Sequence, residues 1–212
     1  EGGSDFVEVV NVSSTAVSLK DMVLQNASMT TKTITTDPVL LMPGEYIVFT
    51  PDPDNLILEY PLGKRENFLK VPSLPSYPNS SGSVILADAF GEEHDRFDYL
   101  ESYQFPLLVT YKGVSLERMS FTRPTNDPSN WASASEQVGF ATPGYLNSQY
   151  MPEEAAISST FELQKEVFSP DNDGFEDVLY INYRMDAPGF IATIRIFDRQ
   201  GRLVRSLTNN LL

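Results

Sequence analysis

The sequence predicts an all-β protein: a β-sandwich followed by part of a second β domain. Three observations carry that expectation. Apolar residues recur in short, strand-like runs, and no window of ten or more residues in the first half shows a clean 3.6-residue period. Turn chemistry built on Pro, Gly, Asn and Asp interrupts those runs at about the spacing of a sandwich. Hydrophobic residues make up 41% of the 212 residues and aromatics 11%, enough to build real cores.

The elements follow in chain order. Residues 6–12 form a β-branched run, apolar on both faces except for Glu8 and Asn11, and read as a central strand. Residues 17–19 and 22–24 continue the pattern on either side of Lys20-Asp21. Pro43-Gly44-Glu45 is a turn, because Pro presets φ and Gly admits the left-handed state. Residues 46–50 then read as a buried strand, stopped by Pro51-Asp52-Pro53-Asp54, since Pro donates nothing to a ladder. Residues 83–87, the turn Asp88-Ala89-Phe90-Gly91 and residues 96–99 read as a hairpin, and residues 114–119 as a further strand.

Residues 149–159 change character and have little to bury. They read as a linker, with Pro152 placed to start a helical turn. Strands resume at 161–167. Alternation is clear in Leu179, Ile181 and Tyr183, and again in Ala192, Ile194 and Ile196; a turn at Asp198-Arg199-Gln200-Gly201 leads back through 203–207. The expected organisation is a sandwich over 1–150, a linker over 151–159 and a partial β domain over 160–212. About four strands in that last stretch leave open edges, so a truncated domain is expected.

Composition excludes several chemistries. There is no Cys, which removes disulfide scaffolds, Cys-based zinc sites, iron–sulfur clusters and thiol nucleophiles. The single His94 rules out a poly-His metal site. The net charge is −14, with −10 in residues 1–150 and −4 in 151–212, so nucleic acid is not an expected partner. No run of 18 apolar residues predicts a transmembrane segment, and the first residues of the sequence do not read as a basic-then-apolar leader. The chain opens at Glu1 without Met, which predicts an excised piece of a longer product. Asn-x-Ser triplets at Asn11, Asn26 and Asn79 matter only on a eukaryotic secretory route.

Four ordered landmarks carry a resemblance. They are Asp5-Phe6-Val7-Glu8-Val9-Val10-Asn11; Leu41-Met42-Pro43-Gly44-Glu45-Tyr46-Ile47-Val48; Gly113-Val114-Ser115-Leu116-Glu117-Arg118; and Trp131-Ala132-Ser133-Ala134 with Ala141-Thr142-Pro143-Gly144-Tyr145-Leu146-Asn147-Ser148. Together they resemble the lamin tail domain found in bacterial secreted proteins. That resemblance implies an immunoglobulin-like β-sandwich. Phe168-Ser169-Pro170-Asp171-Asn172-Asp173-Gly174-Phe175-Glu176-Asp177 resembles the start of immunoglobulin-like domains in Bacteroidetes surface proteins. Residues 194–204 resemble the middle hairpin of the flagellar hook-cap type of immunoglobulin-like domain. The implied setting is extracellular, cell-surface or periplasmic.

Candidate sites are few. Asp171, Asp173 and Asp177 surround a Gly turn and could supply hard oxygens to calcium. The EF-hand pattern fails there, because Tyr180 stands where a bidentate Glu belongs, so an Asx-turn competes with the metal reading. His94 lies among Glu92, Glu93 and Asp95, and no Gly-x-Ser-x-Gly elbow exists to give it a nucleophile. It reads as part of a solvated hairpin. Acidic pairs such as Glu92/Glu93 could in principle serve a glycosidase, but carboxylates are too frequent in this chain for pairing to inform. Pro72, Pro75 and Pro78 suit either a polyproline II ligand or a stiff loop across a sheet edge. Trp131 suits either a sugar-stacking platform with Tyr99 or Tyr103, or a core anchor for the closing segment. Arg195, Arg199, Arg202 and Arg205 crowd the last hairpin, as solvated edge protection or as an anion or partner patch. The functional expectation is a non-catalytic structural or adhesive module of an exported protein, binding a protein or glycan at the cell surface. The alternatives are an accessory glycan- or polymer-binding module of a surface enzyme and, disfavoured by charge, a nucleic-acid-binding tail domain.

Overall fold

The structure is a computed structural model that describes residues 4–105, 108–150, 160–163, 167–169, 178–184, 192–197, 200 and 202–211. The chain divides into two compact units, Glu1–Met151 and Pro152–Leu212. It is mostly β-strand in several small sheets, with one short α-helix among the described residues.

The first unit runs β1 (Val7–Val10), β2 (Val17–Ser18), β3 (Val23–Gln25), β4 (Thr31–Thr33), β5 (Leu40–Leu41), β6 (Tyr46–Thr50), α1 (Pro53–Glu59), β7 (Phe68–Lys70), β8 (Ser81–Ala87), β9 (Glu93–Leu100), β10 (Leu116–Arg118) and β11 (Trp131–Ser133). One sheet has the order β1-β6-β7 and a second the order β4-β3-β8-β9; β2 pairs with β5 and β10 with β11. The run expected to be central, residues 6–12, is therefore an edge strand. The central place in its sheet belongs to β6, antiparallel to β1 and parallel to β7. The physical reason is that both faces of β1 are covered while one of its hydrogen-bonding sides is not, and sequence reports faces rather than sides.

Turn chemistry sets the β1–β6 register. Gly44 sits at φ 77, its amide donates to Asn11 O, and the Asn11 amide donates to Glu45 O. Two residues thus face one, a glycine bulge. Asn11 closes the turn with its side chain, donating Nδ2 to Leu41 O at 2.8 Å. The pairs Val7↔Phe49, Glu8↔Val48, Val9↔Ile47 and Val10↔Tyr46 follow. The hairpin of 83–87 with 96–99 is present as β8 and β9, with Val84 opposite Phe97 and Ile85 opposite Arg96.

Helix α1 occupies the segment read only as a strand stop. Asp52 caps it by accepting from Asn55 N, and Pro53 opens it, where a missing amide costs nothing. Seven residues are too few to be stable alone, so the helix depends on burying Leu56, which is 0% exposed.

Alternation along β1 divides the packing. Val7 and Val9 join a core that includes Leu24, Ile47, Phe49, Val71, Val84 and Leu86. Phe6, on the opposite face, joins Val48, Leu56, Tyr60, Phe68 and Ala141. The first sheet is therefore covered on both faces, by residues of β3 and β8 on one and by α1 and the segment at 141 on the other.

In the second unit β12 (Thr160–Leu163) pairs antiparallel with β13 (Ile181–Arg184), and β14 (Ala192–Phe197) with β15 (Leu203–Leu211). The strand expected over 161–167 is seen over 160–163. The linker read at 151–159 lies outside the described residues, as does the loop carrying Asp171, Asp173 and Asp177.

Candidate functional site

The edges of β1 and β9, with the chain at 110–118, enclose a cleft of about 990 Å³ in the first unit. Two acidic strand residues, Glu8 of β1 and Glu117 of β10, lie in its lining.

Glu8 shares a face of β1 with Phe6 and so turns toward the α1 side of the sheet. Its Oε2 accepts from Gly144 N at 2.5 Å. Gly144 is held in place by Asn67, whose Nδ2 donates to Gly144 O at 2.6 Å, and by Lys64 N donating to Pro143 O. Its φ of 89 and the approach of Lys64 O, 2.8 Å from where a Cβ would stand, admit glycine alone. Burial pushes the Glu8 carboxyl up from 4.5 to about 8; the Gly144 amide opposes this and the Glu117 charge adds to it.

Glu117 is 3% exposed, and its two oxygens organise the closing segment. Oε1 accepts from Thr142 Oγ1, and Oε2 accepts from Ser148 Oγ and Gln149 N, at 2.5, 2.7 and 3.1 Å. Next to it, Arg118 donates to the carbonyls of Ser120, Phe121 and Arg123 and lies 3.8 Å from Asp95. Asn147 Nδ2 donates to Arg118 O at 3.0 Å. Asn130, fully buried, locks the intervening loop: its Oδ1 accepts from Ser120 N and its Nδ2 donates to Ser120 O.

These bonds join the sequence landmarks pairwise. The first and second meet at Asn11, the first and fourth at Glu8–Gly144, and the third and fourth at Glu117 and opposite Trp131, which pairs with Arg118 across the β10–β11 ladder. In the amino-acid sequence Glu8 stands out only as an acid inside an apolar strand and Glu117 only as the neighbour of Arg118, signals that the abundance of carboxylates hides.

The other candidates fall as follows. Trp131 stacks on Phe97, with ring centroids 3.5 Å apart and planes 15° apart, and its Nε1 donates to Thr125 O. Tyr99 and Tyr103 pack on Phe97, at 5.9 and 6.4 Å, and not on Trp131. Phe97 thus stands where a flat platform of Trp131 with either tyrosine would need open space. His94 is exposed on β9, past the turn. Pro75 is buried, and the proline segment is tied down: Asn26 Nδ2 donates to Ser76 O and Tyr99 Oη to Pro78 O. Among the described residues no group of three or more His, Asp or Glu is placed to hold a metal ion. No helix among the described residues is long and apolar enough to cross a membrane. Arg202 and Arg205 of the final hairpin are exposed.

Comparison with protein-family models, with curated proteins and with solved structures found no match.

Proposed function

We propose that the chain is a non-catalytic structural or adhesive module of an exported or cell-surface bacterial protein. Its first unit is an immunoglobulin-like β-sandwich of the lamin-tail kind, and its second belongs to an immunoglobulin-like domain of the hook-cap type. The observation that carries the reading is the bonding of the four landmarks to one another. Residues that make the resemblance in sequence are those that fasten the first strand to the closing segment. The role of Glu8 and Glu117 supports the non-catalytic part. A reactive carboxylate must reach a substrate atom, whereas each of these holds backbone or hydroxyl donors of the protein itself. The interposed Phe97 argues for the core-anchor role of Trp131 over sugar stacking.

The test is a turnover screen of the purified 212-residue chain against glycoside, ester, peptide and phosphoester substrates. No turnover above buffer is expected. Turnover that disappears in Glu8→Gln or Glu117→Gln would overturn the reading.

A further inference from the structure

Both edge strands that flank the cleft could in principle recruit another strand, but they are not equally open. At β9 the position is taken: Asp98 N donates to Asn126 Oδ1 and Asn126 Nδ2 donates to Asp98 Oδ2, each at 2.8 Å. A side chain thus stands where a neighbouring strand would bond, a common way to blunt an edge.

No such plug covers β1. Asn11 exchanges its backbone bonds with the β6 side at the bulge. Hydrogen-bonded pairs alternate in an antiparallel ladder, so Val9 and Val7 also direct their amides and carbonyls toward β6. Phe6, Glu8 and Val10 direct theirs the other way, into the cleft. Among the described residues no backbone or side-chain group bonds to these outward amides and carbonyls. At about 3.4 Å per residue, residues 6–10 present an edge roughly 17 Å long. An added strand of five or six residues fits a cleft of 990 Å³.

Charge selects the occupant. The cleft is lined by six carboxylate residues against three basic ones. Two of the three are committed: Arg96 donates Nε to Asp98, and Arg118 is held by carbonyls and Asp95. With Asp95 spent on Arg118 and Glu8 kept protonated by burial, four acidic residues stand against Lys112, and that field favours a cationic ligand. Glu8 itself takes no part in that field, because burial keeps its carboxyl protonated and Gly144 N occupies it.

We infer that the open edge of β1 accepts an extended, basic peptide segment as an added strand, with backbone bonds to Phe6, Glu8 and Val10 supplying affinity and Lys or Arg side chains facing the acidic lining, Asp5, Glu59 and Glu101, supplying selectivity. The inference rests on the adhesive reading and names the class of partner.

Three labelled, end-blocked hexapeptides test it against the full chain: alternating Val-Lys, the same sequence N-methylated at every second residue, and alternating Val-Glu. Fluorescence anisotropy should show saturable binding of the first, and at least tenfold weaker binding of the other two. Amide exchange should slow at Phe6, Glu8 and Val10 when the Val-Lys peptide is bound. Equal binding of the N-methylated peptide would mean charge attraction without strand addition and would overturn the inference, as would no binding of Val-Lys or unchanged exchange at those amides. Cleavage of a bound peptide would overturn the non-catalytic reading instead, so the two failures are separable.

Discussion

Glu8 makes the fold sensitive to protons. Its carboxyl is raised from 4.5 to about 8 by burial, with the Glu117 charge adding to the rise. Tyr46 and Tyr145 share its surroundings and are themselves raised, burial being the leading cause for both. A carboxyl raised on folding holds its proton in the native state after the unfolded chain has released it. The stability tied to that proton is complete below about pH 4.5 and is lost as pH climbs to about 8. Urea melts between pH 4 and 9 are expected to show that decline, at roughly 1 kcal/mol per pH unit. Glu8→Gln, which keeps an acceptor for Gly144 N, is expected to flatten it; an unchanged slope in the variant would assign the effect elsewhere. Asn130→Ala is a separate loss. It orphans Ser120 N beside a fully buried position, while Ser120 O keeps its bond from Arg118 Nε, and should cost about 1–3 kcal/mol in a thermal melt. At this scale the sequence is a poor guide. Glu8 and Glu117 are two of 29 acids, and what singles them out is the backbone amides and hydroxyls that come to meet them from more than 20 positions away.

Elements bounded by strong punctuation were legible. Tyr46–Thr50 ends where Pro43-Gly44 and Pro51 require it to, and the 83–87 hairpin with 96–99 follows from alternation around an Asp-x-x-Gly turn. Helix α1 was not legible by period, because seven residues complete barely two turns. Its cap was passed over by the strand-stop reading, because Asp52 followed by Pro53 serves as a helix start as well as a strand stop. Asp52→Ala should therefore cost about 1 kcal/mol, while Leu56→Ala, at 0% exposure, should cost about 2–5 kcal/mol. Circular dichroism melts of the two variants check the ranking; equal losses would mean that the helix does not depend on its core contact. The glycines rank by surroundings as well. Gly44 and Gly144 both have positive φ, but a Cβ at Gly44 meets open space and one at Gly144 meets Lys64 O. Gly44→Ala should cost about 1 kcal/mol, and Gly144→Ala clearly more, with loss of the Glu8 bond.

At the scale of the molecule, the two packed cores found among the described residues draw on the first unit alone. Residues 1–151 are expected to unfold as one cooperative transition when expressed without the rest. A broad, non-cooperative melt of that piece would mean that its cores need residues beyond it. Which strands share a sheet could not be read from periodicity, because alternation names a buried face and says nothing of the neighbour across a hydrogen-bonded side. That is why β1 reads as central and stands at an edge. The Glu8–Gly144 bond, finally, imposes an order in time. It spans 136 residues, so a chain made from its amino terminus cannot seat Glu8 until nearly the whole unit has been synthesised. At roughly 5–20 residues per second that is a wait of about 7 to 27 seconds. During it the nascent strand carries an ionised, solvated carboxylate, and the last step of closure takes up a proton.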